Sequence, residues 1–541
     1  MQHADLIIKN GNIHTMNPAK PTAAAVAVRG NEIVYVGDNP ENYCGAGTKV
    51  VDAEGRVVLP GIVDAHAHPL SMPSFEGVAL DIGMDLETVL SEIKKYVDAH
   101  PEKHCYLGQV YLETCVGDRY TKETLDSVCP DKPIILLGST CHESWANSKA
   151  FETAGVDKDF PDPIPGKQYF VRDENGEPTG VIKDVAPFEI IADACKPCPA
   201  DAVEKGMVEF FHHHNELGIT TSADCGILTP ANEQDTLEIA EKLMKEDRLT
   251  CRISGCGFHL GIEPVEETID HIRELNERFD NDIIRIKTFK LLQDGCYEAR
   301  TSSCYEPYLD TEFMRDPTKF GEQLKSDFVK VAEAGFDIHV HCLGDRAMHE
   351  TIEAAGAVRK AGFADNRITI AHNHSILPED IAKYGEYNIV ANFTPQWCVV
   401  KPDIINGIGR ERHDDMIRIK SVKDSGAIIT IGSDCPSDEL GYEPWKGMEM
   451  SITRRTCGCP DEEMMGHASE CIDVQTALEA CTINGAYELG MEDRIGSLEE
   501  GKYADIIILD RDIYDIDVYD IHNVRPVMTV FNGKIVYDGR Q

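Results

Sequence analysis

Six side chains that could do chemistry stand in or at the ends of apolar runs. His66 and His68 close the run VVLPGIVDAHAH. Side chains alternate faces along a strand, so these two imidazoles point the same way and can share a metal. Lys290 lies inside the apolar segment TFKLLQDG, where an amine is costly unless paired or modified. His341 ends IHVH, His372 ends ITIAH, and Asp434 ends IITIGSD. Imidazole and carboxylate ligands suit zinc, manganese, iron or cobalt rather than calcium or magnesium. A lysine amine taken out of water is nucleophilic and could add carbon dioxide, giving a carbamate that bridges two metals. Two metals sharing a water would lower its pKa from ~15.7 towards ~7. Asp434, as a ligand or beside one, could take that proton and deliver it to a leaving amine. The set predicts a hydrolase that acts on an amide or related carbonyl.

These groups meet only if their strands share one end. Apolar or β-branched runs recur at 57–65, 218–224, 249–258, 283–291, 336–341, 367–372, 388–394 and 427–433. Helical spacing fills most gaps, clearest at 232–246 and at 264–279, where Val265, Ile269, Ile272 and Leu275 repeat behind Pro264. Alternation of this kind predicts an α/β fold, a (β/α)8 TIM-like barrel whose strand ends surround one mouth. Residues 70–205 break the rhythm and read as a large insertion after the first barrel strand, with a strand of its own at 133–139. The chain ends are strand-rich, with hairpin signals at Asn10-Gly11, Gly30-Asn31 and Asn532-Gly533. Neither end holds enough strands for a stable sheet alone. Residues 1–58 and 490–541 are therefore expected to pair as a composite β-sandwich, leaving 59–489 as the barrel.

Of 541 residues, 52 are Lys or Arg and 94 are Asp or Glu, a formal charge of −42. Nucleic acid and anionic membrane surfaces need the opposite sign, so neither is an expected partner. A small-molecule substrate is, and the acidic field favours a neutral or cationic one. No basic leader opens the chain and no long apolar run crosses it, which predicts a cytoplasmic protein. The 19 cysteines are irregularly spaced and read as reduced thiols. Cys195-Lys-Pro-Cys198 lacks a second ligand pair and is a weak metal signal. His212, His213 and His214 face different ways on a helix and cannot form one site.

The chain resembles the amidohydrolase superfamily, in the branch of N-substituted formamide deformylase (amidohydrolase family 3). The resemblance rests on LPGIVDAHAHP, SWANSKAFETAG, GEPTGVIKD, FKLLQDG, HCLGDRA, HNHSILPEDIAKYGE, IGSDCP, ALEACTINGAYELG and RIGSLEEGKYADIIILD, from one end to the other. It implies that His66 and His68 are first-strand metal ligands and Lys290 the fourth-strand lysine, carboxylated in many binuclear members. It implies that His341 and His372 are the fifth- and sixth-strand ligands and Asp434 the eighth-strand catalytic aspartate. One or two divalent metals follow, zinc first, with manganese, iron or cobalt compatible. Homo-oligomers are common in the family.

Departures from the pattern bear on the substrate. Cys296 stands where the branch usually has Ser, His374 rivals His372, and Thr394-Pro395-Gln396-Trp397 replaces a Gln-Pro-x-His segment. Cys296, Trp397 and His142, the last in the insertion, are the candidate substrate-binding residues. Asp345 and Arg346 are candidates for support of His341. The alternatives are a mononuclear deaminase of the same fold and a non-catalytic scaffold. A deaminase usually needs Glu near the fifth-strand His, where this chain has Cys342, Gly344 and Asp345. A scaffold usually lacks some ligands, whereas this chain has the whole set.

Overall fold

The computed structural model of the protein describes residues 3–71, 77–80, 84–110, 119–138, 141–226, 233–435 and 443–540. Eight strands form the central sheet: β1 (Ile62–Ala67), β2 (Ile219–Asp224), β3 (Arg252–His259), β4 (Ile284–Leu292), β5 (Asp337–Cys342), β6 (Ile368–His372), β7 (Ile389–Phe393) and β8 (Ile429–Ile431). They pair in chain order and all in parallel. Most of their residues are buried, as expected of a parallel sheet covered on both faces. Helices return the chain between strands and bury one stripe each. In Val265–Phe279 the buried residues are Val265, Thr268, Ile269, Ile272 and Phe279.

The seam between β8 and β1 is closed just beyond the strand ends. Asp434 N donates to His66 O (2.7 Å) and His68 N to Cys435 O (2.8 Å). The Asp64 carboxylate accepts from Ser433 N (2.9 Å) and Ser433 Oγ (2.6 Å). Gly432 permits this approach, because an added Cβ would lie 2.4 Å from His66 Cβ and 2.6 Å from His66 N. The obstacle includes backbone and cannot rotate away. Gly432→Ala is therefore expected to cost at least ~1–3 kcal/mol, an overpacking penalty read from denaturant unfolding.

Both chain ends join a second sheet. Val57–Pro60 pairs antiparallel with Ile506–Leu509, with Leu59 opposite Ile507. Side-chain alternation then serves two cores. Val58, Ile506 and Ile508 pack with Ile8, Val26 and Val28, while Val57, Leu59, Ile507 and Leu509 join the barrel core. Its eight strands follow a single hydrogen-bonded path with one branch, Lys49–Asp52 on Leu6–His14. Gly30-Asn31 and Asn532-Gly533 are hairpin turns, as their sequences predict.

Two local expectations fail. Asn10-Gly11 is not a hairpin turn. Leu6–His14 is one strand with a bulge between Lys9 and Ile13, and Asn10 takes φ 55°. The bulge lets the strand's first half pair with Lys49–Asp52 and its second half with Val57–Pro60. The apolar run at 57–65 is likewise not one strand. It changes sheets at Gly61, whose N donates to Asp505 O while Ile62 N donates to Gly218 O, both at 2.9 Å.

Between β1 and β2 lies a six-stranded sheet in the order Tyr169–Arg172, Pro178–Lys183, Glu143–Ala146, Ile134–Gly138, Tyr106–Val110, Val78–Ala79. Among the described residues no helix is long and apolar enough to cross a membrane.

Candidate metal centre

The strand ends bring the six sequence candidates together. His66 Nε2 lies 3.0 Å from Asp434 Oδ1, and His68 Nε2 lies 3.6 Å from the same oxygen. Ligand atoms of His66, His372 and Asp434 all lie within 4.8 Å of one another. Lys290 Nζ is 3.5 Å from His66 Nε2, and the His341 ring is 4.6 Å from that of His372. All six side chains are buried. His372 and Asp434 take φ of 73° and 55°, a left-handed conformation that costs free energy for a side chain with a Cβ. These turns aim both groups at the first-strand histidines as the chain leaves β6 and β8.

The remaining ring nitrogens are tethered. His68 Nδ1 meets Gly226 O at 2.8 Å, and a carbonyl accepts only, so the nitrogen donates. Its Nε2 faces Asp434 Oδ1. His372 Nδ1 is 3.0 Å from Thr394 Oγ1, while its buried Nε2 has no hydrogen-bond partner among the described residues. Burial and the neighbouring positive groups hold His66 and His341 well below the usual imidazole range. Burial does the same to His372, against the pull of Asp434. Burial would raise the Asp434 carboxyl, but His372 and His68 hold it well below the usual range. The lowered His66, His341 and His372 imidazoles and the lowered Asp434 carboxyl give up their protons readily, and deprotonated donors are the forms a divalent metal binds. The donor set fits zinc, manganese, iron or cobalt.

The amidohydrolase family model matches residues 49–537. The chain belongs to this family. The exoenzymes regulatory protein AepA of Pectobacterium carotovorum subsp. carotovorum is 30% identical over 440 residues, covering 79% of this chain and 93% of its own. The N-substituted formamide deformylase of Arthrobacter pascens is 25% identical over 567 residues, 99% of each chain. An uncharacterized metal-dependent hydrolase from Pyrococcus horikoshii OT3 superposes with a TM-score of 0.73 at 21% identity, covering 95% of this chain and 99% of that one. This last likeness shows the fold.

Of the two sixth-strand histidines of this amidohydrolase, His372 joins the cluster. His374 faces elsewhere: its ring lies 5.2 Å from Trp397 and 5.9 Å from Tyr297. Trp397 also lies 5.0 Å from the His372 ring, so it walls the centre. His142 reaches the centre from the insertion, its ring 4.9 Å from that of His341. Cys296 folds its own loop: its Sγ accepts from Ala299 N (3.4 Å) and its N donates to Thr301 Oγ1 (3.1 Å). Arg346 pairs with Asp316 (2.6 Å), and Asp345 accepts from Tyr305 N (2.9 Å). Neither touches His341 in these pairings. Among the described residues, Cys195 and Cys198 are not in a group close enough to share an ion.

Sequence reasoning overlooked several supports. Asp294, just after β4, accepts from Leu343 N (3.0 Å), Gly344 N (2.8 Å) and Ser303 N (2.8 Å), tying together the loops beyond β4 and β5. Burial pushes its carboxyl up to about 6. Its place in the Asp-Gly step after the lysine strand was the available signal. His339 shares an inward face with His341 by strand alternation, the same signal that marks His66 and His68.

A buried ion pair holds His142. Its Nδ1 lies 3.1 Å from Asp184 Oδ1, and Arg315 binds the other carboxylate oxygen. Burial alone would raise the Asp184 carboxyl, but Arg315 and His142 bring it down to about 2. Arg315→Met would strand this buried charge and is expected to cost ~3–5 kcal/mol at neutral pH. The pair's stabilisation is complete above the ordinary carboxylate value of 3.8 and lost as pH falls towards about 2. In the variant, burial raises the carboxyl, which then protonates readily. Parent and variant stabilities should therefore converge as pH falls below about 4, which urea unfolding at several pH values would show.

Proposed function

We propose that this amidohydrolase hydrolyses a C–N bond of a small molecule: an amide, a formamide or a cyclic amide. The observation that carries this reading is the convergence of His66 Nε2, His68 Nε2 and the His372 imidazole about an ionised Asp434. His66, His68, His341, His372 and Asp434 would hold the metal, zinc first among the fitting ions. Lys290 would take up carbon dioxide at Nζ, releasing a proton and leaving a carbamate as a further ligand. When bound, the metal polarises the carbonyl and makes a water acidic enough to attack at neutral pH.

Asp434 does the proton transfers. Its carboxylate takes a proton from the attacking water as the oxygen adds to the carbonyl carbon. It returns that proton to the leaving nitrogen as the C–N bond breaks, so the products are a carboxylic acid and an amine. Burial of the whole group keeps bulk water from competing for these bonds. Trp397 offers an apolar face beside His372, and His142 offers a fixed imidazole beside His341. A neutral, partly apolar substrate fits those walls and the chain's net charge of −42.

The test is a screen of metal-loaded protein against formamides, N-acyl amines, N-acyl amino acids and cyclic amides, reading amine or ring-opened acid. Turnover that stops on chelation and returns with metal supports the reading. Release of ammonia from amino-heterocycles, with all amides untouched, would replace it with a deaminase. No turnover by metal-loaded protein in any class would favour the scaffold.

A further inference from the structure

We infer that His339 and Glu488 form a buried hydrogen-bond relay that positions His66 for metal binding. The inference rests on the metal-centre reading above and assigns two residues outside its ligand set. Both are positioning residues: His339 bonds the His66 ring and Glu488 bonds His339.

The geometry runs in one direction. Glu488, at the end of the helix Ile483–Glu488, sends its carboxylate into the barrel. Asn392 Nδ2 on β7 lies 3.1 and 3.3 Å from its two oxygens. Thr430 Oγ1 on β8 donates to Glu488 Oε2 at 2.5 Å. The His339 Nδ1 on β5 lies 3.3 Å from Oε1. Three strands thus converge on one carboxylate; burial raises it to about 7, and above that pH it is ionised and can only accept. The His339 proton is therefore placed on Nδ1, facing Glu488. His339 Nε2 is left as an acceptor, and it lies 2.7 Å from His66 Nδ1. His66 must donate there, which leaves its Nε2 lone pair free. That nitrogen is the one 3.0 Å from Asp434 Oδ1.

A different reading of the same atoms is a second metal, since His66, Cys225 and His339 also lie within mutual ligand range. The 2.7 Å separation of His66 Nδ1 and His339 Nε2 argues against it. Two nitrogens at ~2.0–2.1 Å from one tetrahedral zinc sit further apart than a hydrogen bond. Cys225 Sγ, 3.7 Å from His339 Nε2, lies alongside the relay.

The relay does two things for the centre. It fixes which His66 nitrogen carries the proton, and it stops the ring turning about its Cβ–Cγ bond. Ligand histidines held this way bind metal more tightly, and loss of such a partner typically costs ~10–100-fold in affinity. The relay also links the ligand to the helix after the barrel, 149 residues along the chain from His339 to Glu488.

Two measurements test it. The first is metal affinity by competition with a chelator, for the parent, His339→Phe and His339→Gln. Phe removes the acceptor and is expected to weaken binding ~10–100-fold, whereas Gln, which can accept and donate, stays within about threefold of the parent. Equal affinity of parent and His339→Phe overturns the inference and leaves the metal-centre reading intact. A parent that binds no metal overturns both. The second measurement is a neutron map of the metal-loaded parent, which decides the matter even if His339→Phe fails to fold. Deuterons on His66 Nδ1 and His339 Nδ1 are expected. A deuteron on His339 Nε2, or on Glu488 pointing at His339, would reverse the direction and overturn the relay.

Discussion

Asp434→Asn is expected to lower kcat by ~10²–10⁴-fold on any substrate the screen identifies, with a much smaller change in KM. Asn keeps the shape of the side chain and one oxygen that can face His66 and His68. It cannot take a proton from water, and it cannot hand one to a leaving nitrogen. Both halves of the reaction stall for the same reason, so the loss should fall on kcat rather than on substrate capture. Part of the metal should also be lost, because Asp434 Oδ1 lies within 3.0 Å of His66 Nε2 and 3.6 Å of His68 Nε2. Rates are therefore compared per bound metal, at saturating metal. A variant that keeps full turnover per metal would remove Asp434 from the chemistry and leave it as a ligand only.

Lys290→Ala is expected to lower metal content from about two ions per chain to about one. Lys290 is buried, and its Nζ lies 3.5 Å from His66 Nε2, so no solvent is at hand to compensate for a lost ligand. Lys290→Met keeps more of the volume and should give the same metal loss with less effect on stability. Parent protein prepared with bicarbonate should hold more metal than protein prepared without carbon dioxide. The two variants should show no such dependence. Metal content that ignores both bicarbonate and the substitution would point to a single ion held by the histidines and Asp434.

Much of this centre was legible because a parallel barrel is built from apolar runs. A polar residue at the end of such a run has few structural reasons to be there, and His66, His68, His341, His372 and Asp434 all stood in that position. The register of the HNHSILPED segment already favours His372 over His374, and the structure gives that choice its physical basis. That basis is the left-handed turn at His372 and Asn373, which swings the next imidazole towards Trp397. Glu488 was illegible for another reason. In ALEACTINGAYELG it reads as an ordinary helical glutamate, and only the packing of that helix shows that it faces inward. Asp184 and Arg315 are 131 residues apart, too far for any local pattern to pair them. Asn10-Gly11 and Asn532-Gly533 carry the same dipeptide, yet one is a bulge and the other a turn. The strand beside Asn10 has two partners to reach, and that tertiary demand overrides the local signal.

The central claim is that the strand ends of this amidohydrolase hold a catalytic metal. The most direct test is metal content per chain, by elemental mass spectrometry, on protein produced with zinc, manganese and bicarbonate. The comparison is the His66→Ala/His68→Ala double variant, checked for native folding. One or two ions in the parent and nearly none in the variant is the predicted result. A parent without metal, or a folded variant that holds as much as the parent, would contradict the account.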